Sequence, residues 1–328
     1  VVTIDDIKKA AELGQGVVKQ TPVLSSDALN ARLGAELFIK AEPLQLTGSF
    51  KIRGAYNRLV QLSDEERARG IVAFSSGNHA QGVAKAAQLL GIKATIVMPE
   101  DAPKLKLEKT RAYGADIQLY NRETEDREQI ARDIVSKSNA ILVPSYDDPF
   151  IVAGQGTVGL ELADFAQDRG FTFDDVIVCL GGGGLTSGMA IALHHAMPKA
   201  RIWGVEPEGY DDGARSLKAG RIIELDRYPS TLCDALQTPK LGKLTFEILK
   251  QHLAGIEVVN DDEVRAAMRF AFDDLKVVVE PGGAVALAAA LAGRVNIKGK
   301  RAVVVLSGGN VDPGLYANII SEGKKKEA

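Results

Sequence analysis

Val176-Ile177-Val178-Cys179-Leu180-Gly181-Gly182-Gly183-Gly184-Leu185-Thr186-Ser187-Gly188 is the stretch that decides how this chain folds. Its first five residues form a continuous apolar run, which suits a strand buried on both faces. Met189 to Ala196 then reads as a helix. Between them, four glycines let successive backbone N–H groups converge, and the following helix adds its positive end, so the turn is a phosphate cradle. A plain tight turn needs no such run, because four glycines cost much chain entropy. No register of residues 181–188 gives G-x-G-x-x-G, since the third position falls on Thr186 or Ser187. A Walker lysine is missing too, because Leu185 follows Gly184. Glu206 stands about where a ribose-binding acid would, so a nicotinamide-dependent dehydrogenase is the alternative on this loop alone.

Outward from this stretch the same alternation repeats. Short apolar runs occur at Ile71–Phe74, Ala94–Met98, Ile141–Val143, Ile202–Val205 and Ala302–Leu306, separated by helix-length segments such as Gln81–Leu90, Arg122–Ser138 and Asp261–Leu275. Continuous strands alternating with helices indicate the α/β class with mainly parallel sheets. Residues 71–148 read as a small unit inserted into a larger one made of 1–70 and 149–328. Pro99, Pro103, Pro144 and Pro149 mark the turns and crossings. The expected architecture is two open-sheet domains with a ligand site in the cleft between them.

Composition narrows the choice of ligand. The 328 residues carry a formal net charge of −3, and 45% are hydrophobic, as in ordinary globular proteins. Neither a basic footprint for nucleic acid nor an apolar run of about 18 residues for a membrane is present, so the partner is a small molecule. Cys179 and Cys233 form no CxxC pair, which fits a reducing, cytoplasmic setting. No signal peptide opens the chain, and Lys324 to Ala328 reads as a frayed end.

Four further places carry chemistry. Lys51, in Gly48-Ser49-Phe50-Lys51-Ile52-Arg53, lies just inside a helix start, where the macrodipole disfavours an ammonium and lowers its pKa. A lysine that loses its proton easily attacks carbonyl carbon. The loop Ser75-Ser76-Gly77-Asn78-His79 ahead of a helix beginning near Ala80 offers small polar donors to a carboxylate. His79 is read as a supporting or capping group rather than a base. Ser307, after the strand Ala302–Leu306, can meet a ligand at the sheet crevice, and Glu280 precedes another glycine turn.

Together these segments resemble the serine/threonine dehydratase and serine racemase family, pyridoxal phosphate enzymes of the tryptophan-synthase-β-like fold (fold type II). The matching motifs are TGSFKIRGA (47–55), SSGNHAQGVA (75–84), AGQGT (153–157), GGGGLTSG (181–188), EPGGA (280–284) and LSGGN (306–310), in family order. The resemblance implies that Lys51 bonds the cofactor aldehyde and later moves the Cα proton. Phe50 would pack beside the ring, Asn78 would bond its 3-hydroxyl and Gly181, Gly182, Gly183 and Gly184 would hold its phosphate. Ser307 would meet the ring nitrogen, Ser75 to His79 would grip the substrate carboxylate, and Glu280 would lie near the ring or the substrate amino group. A neutral serine cannot hold a pyridinium proton as an aspartate does, so the ring is a weaker electron sink and β-elimination is favoured over transamination.

The resemblance also implies an Mg²⁺, Ca²⁺ or Mn²⁺ ion on Glu206, the Tyr210 carbonyl and Asp212, oxygen ligands suited to a hard cation. Ser76, on the face opposite lysine, would permit racemisation without establishing it. Dehydration of L-threonine or L-serine to a 2-oxo acid and ammonia is the first expectation, 3-hydroxyaspartate dehydration the second and serine racemisation the third. A homodimer follows from the family alone. Because the chain stops soon after LSGGN, a C-terminal regulatory domain is not expected.

Overall fold

The computed structural model describes residues 1–75, 77–102 and 104–322. Ten strands occur among them: β1 (Val23–Ser25), β2 (Glu36–Ala41), β3 (Ile71–Phe74), β4 (Ala94–Pro99), β5 (Asp116–Tyr120), β6 (Ile141–Leu142), β7 (Asp175–Cys179), β8 (Arg201–Pro207), β9 (Leu253–Val259) and β10 (Arg301–Leu306). They form a six-stranded sheet in the order β1-β2-β10-β7-β8-β9 and a four-stranded sheet in the order β5-β4-β3-β6. Every pairing is parallel except the antiparallel β1–β2 edge. β7 and β10 lie side by side at the centre of the larger sheet, which brings the glycine turn and Ser307 to one crevice.

The central strands are apolar on both faces because helices cover both. All five residues of β7 are buried, as are the last five of β10. The Pro281–Leu291 helix, buried over its first ten residues, packs within this core. The four-stranded sheet has its own core, in which Ile71, Ile96 and Met98 meet Val83 and Ala87 of the following helix. Ile52, Ala55 and Leu59 of the Lys51–Val60 helix enter that second core, so residues on both sides of position 70 share it.

Three helix starts differ from the sequence expectation, each for a local reason. The Asn78–Leu90 helix begins two residues before Ala80, with Gly77 as its cap, so Asn78 and His79 occupy its first turn. The Gly184–Ala196 helix begins inside the glycine run rather than at Met189. The third starts at Arg127 rather than Arg122, because the Asp126 side chain caps it by accepting from the N–H groups of Glu128 and Gln129. Asn260 and Glu263 form a reciprocal capping box at the start of the Asp261–Asp273 helix.

Candidate active site

A cleft of about 760 Å³ opens between the two sheets and is lined by residues of both. Lys51 enters it from the first residue of its helix. Its Nζ donates to the Ser145 carbonyl at 3.0 Å and stands 5.1 Å from the centre of the Phe50 ring. Desolvation lowers its pKa to about 8, against the opposing pull of Cys179 and Glu280. The loop before it is tied to the strand end across the cleft: the Phe50 N–H donates to the Ser307 carbonyl, and the Gly309 N–H to the Gly48 carbonyl. The amine and Ser307 are thereby held in one frame.

The glycine turn closes the other end of the cleft. Gly183 adopts φ +92°, a left-handed conformation that admits glycine readily. A Cβ on Gly182 would lie 2.2 Å from the Tyr146 ring, so the aromatic side chain packs directly on the bare backbone. Thr245 Oγ1 donates to the Gly182 carbonyl at 2.7 Å and holds the turn from below. Among the described residues, no acceptor meets the N–H groups of Gly181 to Gly184. The buried Thr238 Oγ1 lacks a partner too, and lies 3.3 Å from where a Gly181 Cβ would stand. Unpaired donors on a run of bare backbone fit a phosphate.

The remaining expected residues divide. Ser75, Gly77, Asn78, His79 and Ser307 line the cleft, whereas Ser76 lies outside the described residues. Asn78 is held on both sides: its Nδ2 donates to Glu280 Oε1 at 2.5 Å, and its Oδ1 accepts from Asn310 at 2.9 Å. Glu280 is buried behind Asn78, and burial raises its pKa to about 7. His79 is fully buried, with Nε2 3.1 Å from the Val143 carbonyl and Nδ1 unpartnered. Desolvation, with Lys51 nearby, lowers its pKa to about 3, so the ring is neutral. A neutral ring bound to a backbone carbonyl supports the floor of the cleft.

Several lining residues carried no sequence signal. Tyr146, Asp147 and Ser145 come from the segment that leaves the small sheet. Asp147 accepts from the N–H groups of Lys243, Leu244 and Thr245, capping the Lys243–His252 helix from 96 to 98 residues away. Pro144 and Pro149 marked the turn, but nothing in it announced these contacts. Lys106, 6% exposed, also faces the cleft and pairs with Asp234 at 2.5 Å.

Glu206, Tyr210 and Asp212 are all buried, so this is no solvated acidic loop. Both Glu206 oxygens accept helix-start N–H groups, from Gly213 at 2.8 Å and Ala214 at 2.9 Å. Fully buried and not part of the cleft lining, this acid is not placed to meet a ribose there, and the nicotinamide alternative loses its one support. Desolvation, with Asp212 adding to it, raises the Glu206 pKa well above the usual carboxylate range. Asp212, with Oδ2 buried and unpartnered, is pushed up to about 7 chiefly by desolvation. Two buried acids without a cation between them fit a hard metal ion. Among the described residues, no group of three or more His, Cys, Asp or Glu converges as a metal set, so backbone oxygens and water would complete the shell.

A family model described as pyridoxal-phosphate dependent enzyme matches residues 15–308. The chain belongs to this family. An L-threo-3-hydroxyaspartate ammonia-lyase from a Pseudomonas species is 46% identical over 96% of this chain and 97% of its own length. A serine racemase from Schizosaccharomyces pombe is 42% identical, with 98% of each covered. Among solved structures, the T.th. threonine deaminase superposes with a TM-score of 0.89 at 43% identity, covering 94% of this chain and 99% of that one. The pyridoxal-phosphate dependent enzymes thus include relatives of this α/β architecture along nearly the whole chain.

Proposed function

We propose that this chain is an ammonia-lyase that converts a β-hydroxy amino acid to a 2-oxo acid and ammonia, using pyridoxal phosphate. The observation that carries this reading is one cleft holding an amine of lowered pKa, a ring of unpaired backbone donors and a buried serine. When bound, the cofactor supplies an aldehyde that captures the substrate amine and a ring that withdraws electrons from Cα. Gly181 to Gly184 and Thr238 would hold its phosphate, Ser307 its ring nitrogen and Asn78 its hydroxyl side, with Phe50 packed beside Lys51. Ser75, Gly77 and the start of the Asn78–Leu90 helix offer donors to the substrate carboxylate.

The Lys51 amine takes the proton from Cα, and the burial that lowers its pKa to about 8 in the free cleft favours the neutral, proton-accepting form. The β-hydroxyl then leaves as water, and hydrolysis returns one water, so the net change is loss of ammonia. Ser307 offers a neutral hydroxyl, which suits immediate loss of a leaving group better than storage of charge. His79, fixed on the Val143 carbonyl, keeps the wall behind Lys51 in place.

Glu206, Asp212 and the Tyr210 carbonyl would hold Mg²⁺, Ca²⁺ or Mn²⁺ as a structural ion. We also infer the division into 1–70 with 149–328 and 71–148, the Lys51–Val60 helix of the first unit lending Ile52, Ala55 and Leu59 to the core of the second, and, from the resemblance, a cytoplasmic homodimer. Among the described residues, no helix is long and apolar enough to cross a membrane. The deciding experiment incubates the cofactor-loaded protein with L-serine, D-serine, L-threonine and the 3-hydroxyaspartate isomers. Release of 2-oxo acid and ammonia in equal amounts is expected. A change of enantiomer without oxo acid would replace this reading by racemisation.

A further inference from the structure

Lys106 sits where a solubilising charge has no business. It is 6% exposed, on the Lys104–Ala112 helix, and turns into the cleft. A Cβ built on Gly77 would lie 3.5 Å from its Nζ, so the ammonium stands beside the loop that offers its donors to a carboxylate. Its only ionic partner among the described residues is Asp234, which approaches from the opposite wall and whose side chain is 44% exposed.

The asymmetry of this pair is informative. A buried ammonium needs a carboxylate continuously, whereas a half-exposed aspartate can return to water at little cost. The other acids of the cleft are engaged elsewhere or lie in water. Asp147 caps the Lys243 helix, and Glu224 pairs with Lys240. Arg122 is held by Asp101. Arg127 lies over the Phe74 ring, and Lys240 and Lys243 are exposed; apart from Lys51, Lys106 is the one buried cation among the described residues that line the cleft.

We propose that Lys106 is the specificity residue of this ammonia-lyase, leaving Asp234 to bind a second carboxylate on the substrate β-carbon. The preferred substrate class is then a β-hydroxy-α-amino dicarboxylate, 3-hydroxyaspartate being the smallest. Serine and threonine carry a hydrogen or a methyl group at that place and leave the Lys106–Asp234 pair intact. They can be turned over, but they gain nothing from Lys106. This role for Lys106 rests on the ammonia-lyase reading and adds to it which substituent the cleft selects.

The test compares kcat/KM for threo-3-hydroxyaspartate, L-serine and L-threonine on the cofactor-loaded wild type, Lys106→Met and Asp234→Asn. A charge-assisted contact of this kind gives the wild type a preference of about 10- to 100-fold for hydroxyaspartate. Lys106→Met is expected to erase most of that preference, mainly through KM. Asp234→Asn removes the competing carboxylate and is expected to keep or increase it. A wild type that favours serine or threonine overturns the inference and leaves the ammonia-lyase reading standing. Equal losses on all substrates in both variants would make the pair a mere latch between the walls, and would overturn it as well. No oxo acid from any substrate overturns the ammonia-lyase reading and this inference together. The wild-type ratio needs no variant, so misfolding of Lys106→Met would not rescue the proposal.

Discussion

Proton uptake by Lys51 can be measured without turnover. In the cofactor-free protein its pKa is about 8 because the cleft desolvates the ammonium, against an ordinary lysine value of 10.5. At about pH 7 roughly 9% of such a side chain is neutral amine, compared with about 0.03% of an ordinary lysine, a ratio of roughly 300. Only the neutral amine is nucleophilic, so the labelling rate by a small acylating reagent follows this fraction. Labelling at residue 51, located by peptide mass spectrometry, should rise roughly 50-fold between about pH 6 and 8 and level off above about 9. Surface lysines should continue to gain roughly tenfold per pH unit towards pH 10. Restricted access lowers the absolute rate at Lys51 but leaves the midpoint unchanged. A Lys51 profile that climbs with the surface lysines and bends only near pH 10 would refute desolvation as the controlling effect.

Gly182→Ala places a methyl group 2.2 Å from the Tyr146 ring, and displacing either should weaken pyridoxal phosphate binding about 10-fold or more, as read by fluorescence titration. An unchanged Kd would show that the turn is not the cradle. Arg53, fully buried, bonds Glu42 at 2.8 Å and Glu161 at 2.5 Å. Arg53→Met leaves the buried Glu42 without its ionic partner, while Glu161 keeps Lys40, and should cost about 3–5 kcal/mol in chemical denaturation; a loss below about 1 kcal/mol would mean that solvent reaches Glu42. Saturating Mg²⁺ should raise the melting temperature of wild type by about 3 °C or more, and Asp212→Asn should abolish the rise. An equal rise in both proteins would place any ion away from this loop.

Much of the site was legible because its chemistry is carried by short contiguous segments. Gly181 to Gly184 stand out as a candidate cradle, since a phosphate bound by backbone would need positions without side chains. Lys51 and Phe50 were readable from their place at a helix start, although the cause of the lowered pKa is burial in a cleft that no local window reveals. The strands at the centre of the larger sheet were equally plain, because burial on both faces leaves an uninterrupted apolar run. The short edge strand β1 and the exposed face of β5 lack that signature. Spacing alone left Glu206 open to a ribose reading as well as an ion; only the fold shows it buried, accepting from the N–H groups of Gly213 and Ala214.

By itself the sequence determined the α/β class, the order of strands and helices, the glycine turn after a central strand and the lysine at a helix start, all of which follow from local periodicity and residue type. Tertiary structure alone decided which side chains surround that lysine. Lys51 meets the carbonyl of a residue 94 positions away, Lys106 meets an acid 128 away, and Asn78 meets Glu280 across 202. Contacts of that range arise only when two sheets close a cleft and exclude water from it. The same exclusion gives the Lys51 amine its lowered pKa and makes the exchange of a carboxylate at Lys106 consequential.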